Sequence, residues 1–363
     1  MVGKVKKKFS PTHPIVIGVT VGMCYSMDEE TDLSNLGIFS DNFNVLIVGD
    51  GDMSYGLSLA RHLRKMNVSA SLTTTTLDSH LELTNRYSRF ESIHSKLIEL
   101  GVNCHYGINA TNLQDCLSNV FPAGIPFFDR IVFNFPHLCG KSRINLSRQL
   151  IQEFFQSATP LLTASRGEIW ISLTPGQGGT PAETRKRLPW KNTWQVQDKA
   201  AQVGLMLKQV IRTDAALERL AGSKDGLGYF SKGFHNEDRA FRWDGSLSHV
   251  FALPLNCKVC RYPIVWSFGV SIMVHDPTYN VDQLHDVIRQ VKPGLRFETM
   301  LLNKYVMPES GIATRTYMIN FTAIRVTLSK PETHSIMLSI REKMDALELL
   351  ERAKQNKTKQ ESA

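Results

Sequence analysis

The chain lacks any hydrophobic run long enough to cross a membrane. Its longest apolar stretch, residues 14–25, falls short of the roughly 18 apolar residues that a transmembrane helix needs. The basic cluster Lys4–Lys8 precedes this stretch, so a signal peptide is one interpretation, but polar residues interrupt the usual order and no clear cleavage site follows. A buried strand or a poorly ordered extension fits better, and we expect no membrane partner.

Cysteine is also scarce. Six cysteines are scattered over 363 residues, which is too few for a disulfide framework and favours a reducing compartment. Cys257 and Cys260 form a CxxC pair, but a structural zinc ion needs four ligands and no second pair follows at the required spacing. We therefore expect no metal site and favour a structural or incidental pair over a metal or redox role.

The overall charge is moderate, but its distribution is uneven. The net charge is +8, and between Cys139 and Lys191 eight basic residues stand against three acidic ones. A concentrated basic segment favours a polyanionic partner, because each phosphate contact releases counterions. A solvated cationic surface is the alternative interpretation. The basic residues of this segment are Lys141, Arg143, Arg148, Arg166, Arg185, Lys186, Arg187 and Lys191.

Strand-like and helix-like segments alternate between residues 41 and 256. Asn44–Val48 is an almost wholly apolar run that ends on Gly49, which is typical of a strand buried on both faces. The alternation predicts an α/β fold with a doubly wound, mostly parallel, Rossmann-like sheet. Further strands are predicted at 70–76, 104–108, 129–135, 168–173, 205–212 and 249–253, and helices at 55–66, 81–100, 146–162 and 194–203.

The pattern changes after residue 256. Residues 257–351 have a strand, a helix, two strands that form a hairpin and a final helix, an order that predicts a small α+β, ferredoxin-like domain of the split βαβ type. Residues 1–40 are predicted to be a poorly ordered N-terminal extension, and residues 352–363 a polar, frayed tail.

The turn after the first strand indicates a cofactor site. Gly49-Asp50-Gly51-Asp52-Met53-Ser54 precedes a helix, and in a doubly wound sheet this first strand-to-helix turn is where a cofactor meets the backbone. Two carboxylates would repel a pyrophosphate, but they suit a cofactor with a positive centre and an ammonium group, as in S-adenosylmethionine. A tight turn with solvated aspartates is the alternative.

The ends of the next two strands add two candidate cofactor contacts. Asp78 follows the second strand and is placed to accept hydrogen bonds from a ribose diol. Asn109 follows the third strand and is placed to touch an adenine edge. A helix cap formed by Asn109 or Thr111 explains the same residues equally well.

The fourth strand ends in Asn134-Phe135-Pro136-His137, which lies at the catalytic edge of the predicted sheet. The Asn134 amide and the proline-constrained carbonyl of Pro136 can hold a planar nitrogen nucleophile. His137 can stack on a base, orient it or take a proton. These three residues are the predicted catalytic group.

Taken together, these motifs resemble the Rossmann-like family of the large-subunit rRNA uridine-N3 methyltransferases of eukaryotes. The resemblance extends over about Phe43 to Pro254, and its most specific part is the Phe-Asn-Phe-Pro-His string at residues 133–137. The family usually has an aspartate where Asn109 stands. Residues 262–350 resemble a ferredoxin-fold anticodon-binding domain, on element order and on Arg261-Tyr262-Pro263 leading into Ser267–Val270.

The resemblance implies an S-adenosylmethionine-dependent RNA methyltransferase that acts on a uridine N3 of rRNA, with tRNA as an open alternative. The target base must leave its stack to be reached. Lys141, Arg143 and Arg148 would then hold the flanking phosphates. Two other hypotheses stay open: a non-catalytic RNA-binding protein with a degenerate methyltransferase domain, and a small-molecule methyltransferase, against which the basic segment argues. The nucleus or nucleolus, the cytoplasm and the mitochondrion all stay open as compartments.

Overall fold

The chain divides into two compact units. The computed structural model describes residues 17–21, 41–138, 143–213, 225, 228–229, 232–233, 236–240, 243–257, 259–260, 262–274, 279–308 and 311–361. The first unit comprises Val21–Pro263 with Ile324–Ser329, and the second comprises Met1–Thr20, Ile264–Ala323 and Lys330–Ala363. The boundary thus falls after Pro263, a few residues beyond the predicted boundary at residue 256.

The strands and helices of the described residues follow the alternation expected from the sequence. The strands are β1 (Ile17–Val21), β2 (Asn44–Val48), β3 (Ser71–Thr75), β4 (Asn103–His105), β5 (Arg130–Asn134), β6 (Glu168–Leu173), β7 (Met206–Arg212), β8 (Lys232–Gly233), β9 (Asn236–Ala240), β10 (Leu247–Ala252), β11 (Ile264–Val274), β12 (Arg296–Val306) and β13 (Ala313–Thr322). The helices are α1 (Ser54–Lys65), α2 (His80–Arg86), α3 (Phe90–Glu99), α4 (Leu113–Ser118), α5 (Ile144–Ala158), α6 (Val196–Ala201), α7 (Val281–Val291) and α8 (Lys330–Glu361).

The first unit contains a seven-stranded sheet in the order β4-β3-β2-β5-β6-β10-β7. The first five strands of this order run parallel to their neighbours, and β10 is antiparallel to both β6 and β7. The order reverses direction between β2 and β5, since β3 and β4 extend to one side and β6 to the other. The doubly wound α/β fold predicted from the sequence is therefore confirmed.

Both faces of this sheet are covered by apolar side chains. Along β2, Val45 and Ile47 belong to one buried cluster, whereas Leu46 and Val48 belong to the other. Alternate residues of a strand point to opposite faces, so an unbroken apolar run is what a strand buried on both sides requires. This explains why the bounds of β2 were predicted correctly.

The long helix predicted at residues 81–100 is wrong, because two helices occupy that stretch. A capping box starts α2: the Ser79 side chain accepts from the Glu82 amide, and the Glu82 carboxylate accepts from the Ser79 amide. Tyr87 ends α2 in an extended conformation, and its ring is buried in the core. Burial of the aromatic ring thus outweighs the local helix preference that the sequence pattern suggested.

The second unit is an α+β sandwich with a four-stranded sheet in the order β1-β11-β13-β12. The strand, helix, two strands and helix from β11 to α8 follow the predicted order, and β1 supplies the strand beside β11. Residues 17–21 are thus a strand rather than part of an unstructured extension. Helix α8 continues to Glu361, where a frayed tail from residue 352 was expected, because no glycine or proline interrupts it after Pro331. Among the described segments, no helix is both long enough and apolar enough to span a bilayer.

Candidate active site at the switch point of the sheet

The candidate site lies where the sheet reverses its winding. In open α/β sheets, ligands bind outside the carboxyl ends of the strands at such a point. Here β2 and β5 are adjacent and parallel, so the turn that follows Val48 and the turn that follows Asn134 lie side by side. The structure thus places the two motifs predicted from the sequence side by side. Val45 and Arg130, which are paired between the two strands, are 85 residues apart in the chain.

The turn after β2 is tightly constrained by backbone geometry. Gly49 has φ +67°, and a Cβ atom there would lie 2.7 Å from the Phe133 ring. Met53 also has a positive φ, 60°, and it is fully buried just before α1 begins at Ser54. At Gly51, by contrast, the nearest atom to an added Cβ would be the Tyr87 hydroxyl at 3.8 Å. The backbone at Gly51 is therefore open to close approach by a ligand.

The Asp50 carboxylate is directed into the protein. It accepts hydrogen bonds from the Gly56 amide at 2.7 Å and from the Thr74 hydroxyl at 3.0 Å, with a longer one from the Tyr55 amide at 3.4 Å. Burial, followed by the neighbouring Asp52 charge, raises the pKa of Asp50 to about 7. Asp50 therefore holds the start of α1 in place, and its predicted contact with a cofactor stays a prediction.

Asp52 and Ser54 form a second local contact in the same turn. The Asp52 Oδ1 atom accepts from the Ser54 amide at 3.1 Å, and both residues are buried. The Asp52 charge is one cause of the raised pKa of Asp50, so the two acidic side chains lie close together in the turn. The negative charge of this acidic turn would suit a cationic ligand lying over Gly49 and Gly51.

Asp78 and Asn109, the two remaining candidate cofactor contacts, already have partners within the protein. Asp78 forms an ion pair with Arg86 of α2, and both side chains are partly buried. The Asn109 Oδ1 atom accepts from the Thr111 amide and from the Thr111 hydroxyl, each at 3.0 Å. Asn109 thus makes a local turn ahead of α4, but it does not cap that helix, because the N-cap residue is Asn112 and α4 has no side-chain cap. Contacts of Asp78 with a ribose and of Asn109 with an adenine stay predictions.

Asn134 carries the clearest sign of a ligand site. Its Oδ1 atom accepts from the Ser172 hydroxyl at 2.7 Å, and that hydroxyl is 2.7 Å from the Ser248 hydroxyl. Its Nδ2 atom is buried and makes no hydrogen bond within the described part of the chain. Asn134 also lies near the Tyr55 phenol. Burial raises the pKa of Tyr55 to about 12, and the Asn134 side chain lowers that pKa by a smaller amount. The Asn134 Nδ2 atom nevertheless has no partner at hydrogen-bond geometry. A buried amide donor without a partner is uncommon in native proteins and calls for an explanation.

The residues that follow Asn134 have unusual backbone geometry. Phe135 has φ 50°, and its amide donates to the Ser172 carbonyl at 2.9 Å. A bulky residue with positive φ costs about 1–3 kcal/mol and is found where the surrounding structure imposes it, often at functional sites. Pro136 is buried and His137 is exposed, so of the three predicted catalytic residues only His137 faces solvent widely.

The predicted RNA-binding residues separate into different environments. Lys141 lies outside the described residues. Arg143 is exposed at the start of α5, where it makes no side-chain cap. The Arg148 guanidinium instead donates to the carbonyl of Lys191 at 2.7 Å and to that of Thr193 at 2.7 and 2.9 Å. Arg148 therefore joins α5 to a neighbouring loop, and its contact with phosphate stays a prediction.

The sequence patterns did not predict a group of three aromatic residues beside the first turn. The Tyr55 ring packs edge-on against Tyr229 with 5.5 Å between centroids, and Tyr229 stacks on Trp243 at 5.4 Å. Arg61 of α1 pairs with Asp225 at 2.5 Å, which ties this distant segment to the helix. The three aromatic residues are too far apart in the chain for any local spacing rule to connect them.

Comparison with known proteins finds a family model that covers the candidate site. Residues 46–217 match the family model described as rRNA (uridine-N3-)-methyltransferase BTM5-like. The matched segment contains both turns of the candidate site, from Gly49 to Ser54 and from Asn134 to His137.

Two curated relatives and one solved structure extend the comparison. The human ferredoxin-fold anticodon-binding domain-containing protein 1 is 35% identical over 211 residues, which is 58% of this chain and 31% of the relative. Its mouse homolog is 34% identical over 217 residues, 60% of this chain and 32% of the relative, so the matched parts span about a third of these relatives. The 30S ribosomal A1408 methyltransferase from an uncultured bacterium is 14% identical, with a TM-score of 0.33, over 64% of this chain and 97% of that one.

Proposed function

We propose that the protein is an S-adenosylmethionine-dependent methyltransferase that acts on a uridine N3 of RNA, with rRNA as the substrate class. The family match of residues 46–217 supports the reaction. The observation that carries the proposal is the buried Asn134 amide without a hydrogen-bond partner, at the end of β5 and beside the open turn at Gly51.

The residues of the first turn fit the cofactor. Gly51 leaves its backbone open, and the carboxylates of Asp50 and Asp52 give the turn a negative potential that favours a sulfonium and an ammonium group. When bound, the cofactor would supply an already activated methyl group, so the protein's task is mainly positioning. The backbone of Gly49 and Gly51 would hold the methionine part of the cofactor.

Asn134 would orient the base. With Oδ1 accepting from the Ser172 hydroxyl, the Nδ2 hydrogens are left for a substrate carbonyl. A uridine has carbonyl groups on both sides of N3, so an amide donor beside N3 would fix the ring in its plane. The Pro136 carbonyl and the exposed His137 would complete the pocket, with His137 stacking on the base or accepting the N3 proton.

Replacing Asn134 with Asp tests this proposal. The change keeps the acceptor for Ser172 but removes the donors, so methyl transfer to rRNA fragments should fall about 100-fold or more while cofactor affinity stays the same. Isotope-labelled methyl transfer with nucleoside mass spectrometry would identify the product as N3-methyluridine. The matched control is Asn103→Asp, because Asn103 is exposed at the opposite, amino end of β4. Equal activity of the Asn134→Asp protein and the wild type would refute the role of the amide.

A non-catalytic RNA-binding role is the second candidate, and the ion pair between Asp78 and Arg86 favours it. A carboxylate already paired with a guanidinium is less available to a ribose diol. Arg86→Ala releases Asp78, so under this second hypothesis the variant should bind S-adenosylmethionine measurably where the wild type does not. Isothermal titration of both proteins distinguishes the two candidates.

A further inference from the structure

Two histidines and a glutamate converge on the α2–α3 hairpin, away from Asn134. His80 is the first residue of α2, and Glu91 and His94 lie one turn apart on α3. One ligand atom from each of the three residues lies within 4.8 Å of the other two, and the His80 Nε2 atom is 3.9 Å from the Glu91 Oε1 atom. Ligand atoms around a tetrahedral zinc ion lie about 3.3 Å apart, given bonds of about 2.0–2.1 Å. Small rotations of these partly exposed side chains would close that difference.

The surroundings of the three side chains resemble the supporting shell of a metal site. The Thr84 hydroxyl, one turn beyond His80, is 2.5 Å from the Glu91 Oε1 atom and 3.4 Å from the His80 Nδ1 atom. Tyr106 packs edge-on against the His80 ring, with 5.2 Å between centroids. Outer partners of this kind fix the orientation of metal ligands.

We propose that His80, Glu91 and His94 form a binding site for a divalent zinc-type cation that joins α2 to α3. Two imidazole nitrogens and one carboxylate oxygen suit Zn²⁺ or Co²⁺, whereas Mg²⁺ and Ca²⁺ prefer oxygen ligands throughout. Three protein ligands leave one position for water. Because His80 lies two residues after Asp78, the ion would hold the start of α2 in place beside the candidate cofactor site. The inference does not depend on the proposed methyltransferase activity.

Metal titration of the full chain tests the site. Protein stripped with a chelator would be titrated with Zn²⁺ in competition with a chromophoric chelator, and with Co²⁺ to read the coordination from its absorption bands. We expect binding of a single equivalent, with tetrahedral Co²⁺ bands and no thiolate-to-cobalt charge-transfer band. His80→Gln, Glu91→Gln and His94→Gln should each weaken Zn²⁺ binding at least about 100-fold, and Thr84→Val about 10-fold, since loss of an outer partner alone costs that much.

Two control variants keep the test decisive. His105→Gln removes a half-buried histidine of the same unit that packs on Phe121 and lies outside the cluster, so it should leave Zn²⁺ affinity unchanged. A Cys257→Ser, Cys260→Ser double variant removes the CxxC pair and should also leave the affinity unchanged.

Glu91 is exposed, so Glu91→Gln keeps the test valid even if a histidine variant fails to fold. Binding that survives Glu91→Gln, binding lost only in the cysteine variant, or no binding by the wild type would each overturn the proposal.

Discussion

Two of the non-glycine residues with positive φ in the first unit lie at the switch point. Met53 and Phe135 both have positive φ, and they follow the adjacent strands β2 and β5. Each such residue costs about 1–3 kcal/mol and persists because its surroundings impose the conformation. Two of them at the carboxyl edge of the sheet, beside the Asn134 amide, agree with a site that is held in shape before its ligand arrives.

Gly51→Val should lower the affinity for S-adenosylmethionine without unfolding the protein. The position has no positive φ, and only the Tyr87 hydroxyl, at 3.8 Å, lies near an added Cβ, so the fold has room for the side chain. The branched side chain would instead occupy the space over the backbone that the cofactor needs. Isothermal titration measures the affinity, and the thermal midpoint serves as the folding control. Unchanged affinity in folded protein would remove this turn from the site.

The buried Asp50 should make stability depend on pH. Its pKa is raised from 3.8 to about 7, so its contribution is fully present below pH 3.8 and is lost as the pH rises through about 7. Relative to Asp50→Asn, the wild type should therefore lose up to about 1.4 kcal/mol of unfolding free energy per pH unit between pH 5 and 7. Chemical denaturation at pH 5, 6, 7 and 8 measures this difference. A constant difference across the series would contradict the inferred pKa.

At the scale of elements, two arginines of one basic segment have different surroundings at α5. Arg143 is exposed at its start, whereas Arg148, little more than one turn later, donates hydrogen bonds to backbone carbonyls. The sequence places both in one cationic run, and only the packing of α5 against the loop at Lys191 and Thr193 separates them.

Matched substitutions should separate these two roles. Arg148→Met should lower the unfolding free energy by about 1–3 kcal/mol, because it leaves backbone carbonyls without their charged donor, and should leave the salt dependence of RNA binding unchanged. Arg143→Met should change stability by less than about 0.5 kcal/mol and reduce the slope of log affinity against log salt by about 0.7–0.9. Urea denaturation and RNA binding over a salt series measure the two effects. The reverse pattern would make Arg148 the phosphate contact.

At the scale of the whole molecule, the second unit is assembled from both ends of the chain. Strand β1 comes from residues 17–21, and it lies beside β11 in a sheet whose other strands come from after residue 263. The order of elements after residue 256 predicted the α+β sandwich. It could not predict β1, the neighbour of β11 on the side opposite β13.

Deleting residues 1–21 should therefore affect the second unit and leave the first unchanged. Without β1, strand β11 becomes an edge strand, and the amides that faced β1 lose their partners. Hydrogen exchange should speed up at alternate amides of β11, while cofactor affinity stays the same. Unchanged exchange in β11 would show that β1 does not contribute to this sheet in solution. Measurement of exchange in β12, on the far edge of the sheet, provides the internal control.

The sequence by itself predicted most strands of the first unit, and it placed the candidate site at the ends of two of them. Apolar runs such as Asn44–Val48 and Glu168–Leu173 gave strand bounds that the structure confirms, and their alternation with helices implied the doubly wound sheet. A buried strand is specified by its own side chains and is therefore accessible to local pattern, whereas the switch point depends on which strands pair.

Only the tertiary structure decided where the polar side chains point. Asp50 turns into α1, Asp78 pairs with Arg86, and the Asn134 amide is oriented by Ser172 from another strand. In the structure, α2 ends at Tyr87, within the predicted long helix, and the separate helix α3 places Glu91 and His94 beside His80. A side chain's partner depends on which distant segments pack beside it, and periodicity within a window of a few turns carries no information about those segments.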